Sequence, residues 1–350
     1  MSNSSTATSE DTTEEVPRRL SDRQLDEIYL KDVQPGLARH ARQDAPRMVI
    51  FGGPQASRKT TLRPLVADQL ALTDVVFFDG DDHCTFHPHF DALAREHGAL
   101  EAARLCGPDV QYLRAKILNE IRERRLNVMF VGPYTHQEYT LGRVASFKAD
   151  GYETELVYTG LHQALSEVGV MDRHRRALSD GPGYSYLVST ELQQSVFDGV
   201  PEIMTMMEMS GFADALHVAD AGGIAFSKHR RTDGSWNPPR PSREAVQEIR
   251  NLPWPQATKE DYRRRRQAVS TPAGESAEDW GKRLTRVDAL AAPMLNPPVT
   301  TQRSSAKAAG KGPSPTPRPR KAKKSAPPPL GQRPTPPRAP GRSSSSGRSR

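Results

Sequence analysis

The architecture of this chain follows from the segment Met48-Val49-Ile50-Phe51-Gly52-Gly53-Pro54-Gln55-Ala56-Ser57-Arg58-Lys59-Thr60-Thr61-Leu62. Its first four residues form a short apolar run, which is typical of a buried strand. From Lys59 and Thr60 onward the pattern becomes helical. A strand, a glycine-bearing loop, a Lys-Thr pair and a helix form the layout of a phosphate-binding P-loop.

This loop is predicted to bind the phosphates of ATP. Its backbone N–H groups and the positive N-terminal end of the new helix face the phosphates in such a site. Lys59 is expected to reach the β- and γ-phosphates, and the Thr60 hydroxyl to hold Mg²⁺. The residues predicted to contact ATP are Gly53, Pro54, Gln55, Ala56, Ser57, Arg58, Lys59, Thr60 and Thr61.

One position departs from the P-loop pattern. Counted from Gly53, the pattern G-x-x-x-x-G-K-[ST] places its second glycine at position 58, which is Arg. A non-glycine residue forced to positive φ costs about 1–2 kcal/mol. Either Arg58 adopts a compatible backbone and lends its guanidinium to a phosphate, or the loop is damaged.

A second signal lies after the next predicted strand. Val75-Val76-Phe77-Phe78 is followed at once by Asp79-Gly80-Asp81. Carboxylates at the C-terminal end of a strand, beside a P-loop, lie where open parallel sheets bind their ligands. They suit either a Mg²⁺ contact, assigned here to Asp79, or a general base for an attacking hydroxyl, assigned to Asp81.

Several motifs in the same order resemble the zeta toxin family, the P-loop kinases of bacterial toxin–antitoxin systems. Besides the loop, the resemblance rests on Asp79-Gly80-Asp81 before His87-Pro88, Asn127 before an apolar strand, Gly151-Tyr152-Glu153-Thr154, and Gly169 four residues before Arg173. It extends from about Arg47 to about Ser227.

The resemblance implies an enzyme that moves the γ-phosphoryl group of ATP onto the 3′-hydroxyl of UDP-N-acetylglucosamine, with Mg²⁺ as cofactor. It also implies three catalytic residues: Lys59 binds the phosphates, Asp81 takes the hydroxyl proton, and Arg173 offsets charge on the transferring group. His87 and Gly132 are expected at the substrate pocket. An antitoxin protein is the implied partner.

Other positions depart from the family pattern and leave two alternatives open. Val131-Gly132-Pro133 stands where the family has Glu-Gly-Thr, and Tyr184 lies where a second catalytic arginine is expected. The protein could therefore be a catalytically degenerate binding or regulatory module, or an active kinase with a different acceptor.

Charge is divided unevenly along the chain. Of the 49 Lys and Arg residues, 13 lie in residues 301–350, which contain no Asp or Glu. The other 36 oppose 42 acidic residues, so residues 1–300 carry a net charge of −6. Two cysteines and no apolar run of membrane-spanning length favour a cytoplasmic protein without a disulfide framework or a membrane span.

We predict four regions. Residues 1–19 and the Pro/Ser/Lys/Arg-rich residues 297–350 are too polar to fold and should be disordered. Residues 20–230 alternate strands and helices, which predicts a P-loop kinase-like α/β domain with a parallel sheet and helices on both faces. Residues 231–296 form a helical extension. The basic tail could attract nucleic acid or acidic surfaces non-specifically.

Overall fold

A computed structural model describes residues 19–272 and 275–296. The described strands are β1 (Arg47–Gly52), β2 (Val75–Asp79), β3 (Asn127–Val131), β4 (Glu153–Thr159), β5 (Ala215–Asp220), β6 (Gly223–Arg230) and β7 (Trp236–Asn237). The described α-helices are α1 (Asp22–Ile28), α2 (Gln34–Leu37), α3 (Lys59–Gln69), α4 (Gly80–Cys84), α5 (Phe90–His97), α6 (Ala99–Leu105), α7 (Gly107–Glu123), α8 (Gln137–Ala149), α9 (Gln163–Ser179), α10 (Thr190–Ser210), α11 (Ser242–Arg250), α12 (Gln256–Ala268) and α13 (Ala277–Leu295).

The strands form one sheet in the order β2-β3-β1-β4-β5-β6-β7. The first five are parallel, with Ile50 of β1 paired to Phe130 on one side and to Leu156 on the other. β6 and β7 are antiparallel additions at one edge. The predicted parallel α/β fold is confirmed, and the sheet is mixed because the chain after β5 returns through a tight turn instead of a helix.

Alternate residues of β1 point to opposite faces of the sheet, as the two-residue period of a strand requires. Met48 and Ile50 join the larger core, which is closed by α7, α8 and α10. Val49 and Phe51 join the smaller core under α3. Helices thus cover both faces, and the P-loop follows a strand that is buried on both sides.

The helical extension packs on the domain. A separate apolar cluster joins α9 to α12 and α13 and includes Trp254, Tyr262 and Trp280. Buried Glu167 of α9 lies 3.7 Å from Arg283 and 3.9 Å from Arg286 of α13. The α12 helix is therefore fixed against α9, the helix that carries Arg173.

Local differences from the sequence predictions have simple causes. The first helix begins with a capping box between Ser21 and Gln24 and continues through a π-helical segment, Tyr29–Val33, into α2. β7 pairs with β6, so the sheet continues past the predicted boundary at residue 230. Helices α4 and α6 were not predicted, because each is one or two turns long and lacks a long apolar period.

The predicted disordered ends, apart from Arg19, lie outside the described residues, and so does the basic tail. Within the described ranges, no helix combines the length and the apolar character that crossing a bilayer requires.

Candidate active site

The loop between β1 and α3 adopts positive φ at both glycine positions of the P-loop pattern and also at Ala56. Gly53 has φ 138°, Ala56 has φ 54°, and Arg58 has φ 68° with ψ 15°, which is the left-handed region. A Cβ at Gly53 would lie 2.3 Å from Oγ1 of Thr159, so only glycine fits there. Arg58 thus takes the backbone conformation of the missing glycine, and its exposed side chain leaves the loop interior clear.

Lys59 directs its ammonium group into this loop. Nζ donates to the carbonyl oxygens of Gly53 at 2.8 Å and Pro54 at 2.7 Å, and lies 3.5 Å from Oγ of Ser57. The side chain therefore points to the centre of the ring of backbone groups, where phosphate oxygens bind in a working P-loop. Thr60 and Thr61 begin α3 and are exposed.

Two buried residues that the sequence analysis missed brace the loop from outside. Ser166 of α9 donates its hydroxyl to the carbonyl oxygen of Gln55 at 2.6 Å, and Gln193 of α10 donates to the same oxygen at 3.2 Å. Gln193 lies three residues before Val196 on the buried face of α10. The sequence offered one signal for this role, a polar residue at a position that the helical period makes apolar. Such a buried polar group must find a hydrogen-bond partner.

The two predicted carboxylates lie at the end of β2. Oδ1 of Asp79 accepts a hydrogen bond from the backbone N–H of Asp81 at 3.1 Å and caps α4. Arg114 of α7 donates to the carbonyl oxygen of Gly80. Asp81 is exposed on the first turn of α4. The cap and Arg114 fix the backbone on both sides of the proposed base.

Arg173 reaches the same region from α9. Its Nη2 donates to the carbonyl oxygen of Tyr186 at 3.2 Å. The charge of Arg173 lowers the pKa of both Asp81 and Lys59, and Asp79 and Asp81 raise the pKa of Lys59. The structure thus brings together all four predicted ionic groups, although they come from three separate segments of the chain.

Burial sets the ionisation of these groups. It lowers the pKa of Lys59 to about 8, against the opposing effect of Asp79. It raises the pKa of Asp79 to about 6, with further increases from Asp82 and Asp81. The side chain of Asp81 is exposed to the cleft, but the surrounding protein still desolvates it in part and raises its pKa, although Arg173, Lys59 and Arg114 oppose this. Partial desolvation keeps a carboxylate more basic than it is in water, which suits proton abstraction.

His87, predicted to shape the substrate pocket, lies in the interior. Its Nε2 is 3.2 Å from Oδ2 of Asp109 and its Nδ1 is 3.3 Å from Sγ of Cys106. These contacts connect the loop after α4 to α7 and to the cluster around α5 and α6. Any effect of His87 on a substrate would act through the position of α4.

Gly132 lines an open cleft of about 370 Å³, called here the edge cleft. Its walls are Asp79, Gly80 and Asp81 on one side, residues 131–136 with Tyr139 on another, and Leu192 and Val196 of α10. The predicted general base and Gly132 therefore share one cavity. Tyr184, at the position of the absent second arginine, instead donates its hydroxyl to Asp91.

A second cavity, of about 260 Å³, adjoins the other side of the loop and is called the loop-side pocket. Ala56 and Arg58 form one wall, and Leu161, Leu165 and Val168 form an apolar wall around the start of α9. Residues of α12 line the remaining side of the pocket: Ala257, Thr258, Asp261 and Arg265. Four consecutive arginines lie on α12, at Arg263–Arg266. One of them, Arg265, lies beside the loop, and another, Arg266, forms a salt bridge with Asp288 at 2.8 Å.

The residues around the loop fit a bound triphosphate. The buried hydroxyl oxygen Oγ1 of Thr159 has no hydrogen-bond partner within the described residues and can donate to an acceptor, and the first turn of α3 has no side-chain cap. No cluster of three or more His, Cys, Asp or Glu suited to a metal occurs in the described ranges. Mg²⁺ commonly binds through one or two protein ligands together with nucleotide phosphates, so the predicted pair Thr60 and Asp79 would be enough to hold it.

A family model described as zeta toxin matches residues 35–232, more than half of the chain. The toxin zeta of Streptococcus agalactiae is 19% identical over 205 residues, which cover 59% of this chain and 71% of that protein.

The chain is also similar to solved structures. One from the PezAT chromosomal toxin–antitoxin system of Streptococcus pneumoniae has a TM-score of 0.57 at 14% identity and covers 77% of this chain and 98% of that one. A structure of AvrRxo1-ORF1:-ORF2 with ATP has a TM-score of 0.41 at 14% identity and covers 78% of this chain and 86% of that one. The first of these likenesses agrees with the fold described above.

Proposed function

Because the chain belongs to the zeta toxin family of P-loop kinases, we propose that it transfers the γ-phosphoryl group of ATP to a hydroxyl group of a small acceptor. The observation that carries this proposal is the backbone of Arg58. Its left-handed conformation preserves the phosphate loop, and Lys59 still points into it.

Different parts of the site bind different parts of the phosphate donor, ATP. Lys59 and the backbone N–H groups at the start of α3 hold the phosphates, and Thr60 and Asp79 would hold Mg²⁺, which would supply positive charge to the phosphate oxygens. The nucleoside lies in the loop-side pocket, because this is the cavity that adjoins Ala56 and Arg58 on the side away from the acceptor. Its apolar walls and few polar groups are typical of small-molecule sites.

The acceptor hydroxyl lies at Asp81 in the edge cleft. Asp81 accepts the hydroxyl proton while the oxygen attacks the γ-phosphorus, and Arg173 and Lys59 offset the charge that spreads over the transferring group. By the family resemblance, the acceptor is UDP-N-acetylglucosamine or a related compound. A cognate antitoxin protein is proposed as the partner, since the S. pneumoniae relative comes from a toxin–antitoxin system.

A specific set of residues supports a second candidate, a degenerate binding or regulatory module. Val131 and Pro133 replace the expected acidic and hydroxyl side chains, and Tyr184 is engaged with Asp91. In that case the fold persists and ATP is not turned over.

Two measurements separate the candidates. Phosphate transfer from γ-labelled ATP to UDP-N-acetylglucosamine and other hydroxyl compounds is measured for the parent and for Asp81→Asn. The kinase proposal requires transfer by the parent and a large loss in the variant, whereas equal transfer removes Asp81 as the base. In parallel, the chain is expressed in bacteria. Growth arrest that Lys59→Ala relieves supports a kinase toxin, and arrest that persists in Lys59→Ala supports the binding module.

A further inference from the structure

A cavity apart from the two described above lies between the domain and its helical extension, and is called here the extension cavity. It has a volume of about 400 Å³ and lies where the start of α9, the middle of α10, α11 and Leu290 of α13 meet. It shares no lining residue with the edge cleft or the loop-side pocket. A compound bound there would not contact the reacting groups of the proposed kinase.

A buried cation lines the extension cavity. Arg250, the last residue of α11, has 6% of its surface exposed. Within the described residues its Nε atom has no hydrogen-bond partner, and no salt bridge joins it to Asp198, the carboxylate whose charge acts on it. Burial lowers the pKa of Arg250 to about 10, against the opposing effect of Asp198. Because an unpaired buried charge is costly, the guanidinium requires a partner that the described residues do not supply.

Part of the Arg250 side chain has a structural role. Its Nη2 atom donates to the carbonyl oxygen of Phe197 at 2.9 Å, and the guanidinium carbon lies 3.6 Å from the centre of the Phe197 ring. Pro201, four residues later in α10, has no N–H group to donate to that carbonyl oxygen. A neutral donor would satisfy the same oxygen, so this role explains one nitrogen atom of Arg250 but not its charge.

The surroundings of Arg250 favour a carboxylate as the further partner. A guanidinium group binds a carboxylate through two parallel hydrogen bonds. The N-terminus of α9, at Gln163, lines the same cavity and adds partial positive charge. His162 beside it is uncharged at neutral pH, because burial and the charge of Arg250 lower its pKa to about 4. The carboxylate would therefore bind at the buried end of the cavity.

Carboxylates of α10 set a second requirement. Asp198 and Glu202 are exposed, line the cavity and lie four residues apart, on one face of the helix. Asp198 accepts hydrogen bonds from Nε2 of Gln194 at 2.8 Å, and the carboxyl end of α11 adds partial negative charge. Arg243 also lines the cavity, so two arginines face two carboxylates and the formal charges cancel. A ligand that carries both charges matches this lining better than a simple anion does.

We propose that the extension cavity binds a small zwitterion of the α-amino acid class. Its carboxylate pairs with Arg250, and its ammonium group lies toward Asp198 and Glu202. An apolar side chain packs against the wall that Phe197 and Leu290 form. The cavity volume lies within the usual range of small-molecule sites, about 300–1,000 Å³, and admits a compound of this size.

Calorimetry of the full-length protein with three matched compounds tests the proposal. L-Leucine carries both charges, 4-methylpentanoate lacks the ammonium group, and 3-methylbutylamine lacks the carboxylate. L-Leucine should bind at one site, at least tenfold more tightly than either analogue. Absence of saturable leucine binding, or equal binding of an analogue, would overturn the proposal. Tighter binding of inorganic phosphate, as a fourth probe, would also overturn it. No nucleotide is added, so the result is independent of the kinase proposal.

Substitutions at both ends of the cavity locate the bound compound. Arg250→Gln keeps a donor but removes the charge, so it should weaken L-leucine and 4-methylpentanoate alike, by about tenfold or more. Glu202→Gln should weaken L-leucine about threefold or more and leave 4-methylpentanoate unchanged. Glu191→Gln is the matched control, because Glu191 is an exposed residue of the same helix outside the cavity, and it should change neither.

The exposed position of Glu202 keeps the test decisive even if Arg250→Gln does not fold. Unchanged leucine affinity in Glu202→Gln would contradict the placement of the ammonium group. Unchanged affinity in a folded Arg250→Gln would show that the compound binds elsewhere.

Discussion

Gly169 of α9 lies so close to Ala56 of the phosphate loop that even a methyl group at position 169 would force one of the two segments to shift. A Cβ at Gly169 would stand 3.0 Å from the Cβ of Ala56 and 3.4 Å from its carbonyl oxygen. Ser166, one turn earlier on α9, donates to the carbonyl oxygen of Gln55. The helix that carries Arg173 thus also determines the position of the loop that holds Lys59. A change in either contact should alter the affinity for the nucleotide.

Gly169→Ala tests this contact directly. Overpacking of a tight contact costs about 1–3 kcal/mol, so ATP should bind about five- to 150-fold more weakly if the loop yields to the new methyl group. Gly142→Ala on α8 is the matched control, because nothing lies within 4 Å of a Cβ there. That variant should bind ATP normally and unfold at a slightly higher temperature, since alanine favours a helix over glycine. Equal ATP affinity in both variants would show that α9 does not constrain the loop.

Arg58→Gly and Arg58→Ala separate the backbone of this residue from its guanidinium. Both variants lose the charged group, but only glycine adopts the left-handed conformation without strain. The glycine variant should therefore exceed the alanine variant in free energy of unfolding by about 1 kcal/mol, as measured by urea denaturation. If the two variants are equally stable, the left-handed conformation at Arg58 is wrong. A shared loss of ATP affinity would assign the guanidinium to a phosphate.

The affinity for ATP should depend on pH through Lys59. The pKa of this side chain is lowered to about 8, so the ammonium loses its proton as the pH rises through that value. ATP affinity, measured by calorimetry between pH 6.5 and 9.5, should fall above pH 8. Lys59→Met should bind weakly at every pH and show no such fall. A parallel decline in the variant would assign the titration to another group.

Asp79→Asn should stabilise the protein at neutral pH while impairing catalysis. The pKa of Asp79 is raised to about 6, so its protonated form stabilises the fold below pH 4, and this contribution is lost as the pH rises through 6. Asparagine cannot ionise and still caps α4. The free energy of unfolding of Asp79→Asn should exceed that of the parent by on the order of 1–2 kcal/mol at pH 8 and match it near pH 4. Equal values at pH 8 would mean that Asp79 ionises without cost.

Filling the loop-side pocket tests the place of the nucleoside. Ala257 lines this pocket from α12, and Ala268 ends the same helix outside it. Ala257→Trp should weaken ATP binding about tenfold or more but leave the affinity for inorganic triphosphate unchanged, whereas Ala268→Trp should affect neither. If Ala257→Trp weakens both ligands alike, the variant disturbs the loop itself and the nucleoside lies elsewhere.

Much of the fold could be predicted because its signals are local. Apolar runs such as Met48–Phe51 and the glycine-bearing loop specify a strand, a turn and a helix from neighbouring residues alone. The same reasoning placed Asp79 and Asp81 at the end of a parallel strand, beside the loop. The two antiparallel strands were less clear, since Gly223–Arg230 has an irregular pattern of burial and Trp236–Asn237 is only two residues long.

The remaining parts of the site depend on tertiary contacts that carry no sequence period. Gln193 and Ser166 meet at one carbonyl oxygen although they belong to different helices. Arg265 approaches the phosphate loop only because α12 packs on α9 through Trp254 and Tyr262. The conformation of Arg58 was left open by its sequence, because intrinsic preference opposes positive φ and only the surrounding loop can overcome it.

The central claim is that the segment from Gly53 to Thr61 binds a triphosphate although arginine stands at position 58. Titration of the full-length protein with Mg·ATP by calorimetry tests it most directly, with Lys59→Ala as the comparison. The account predicts saturable binding at one site by the parent and at least tenfold weaker binding by the variant. The absence of saturable binding by the parent, or equal binding by Lys59→Ala, would contradict it.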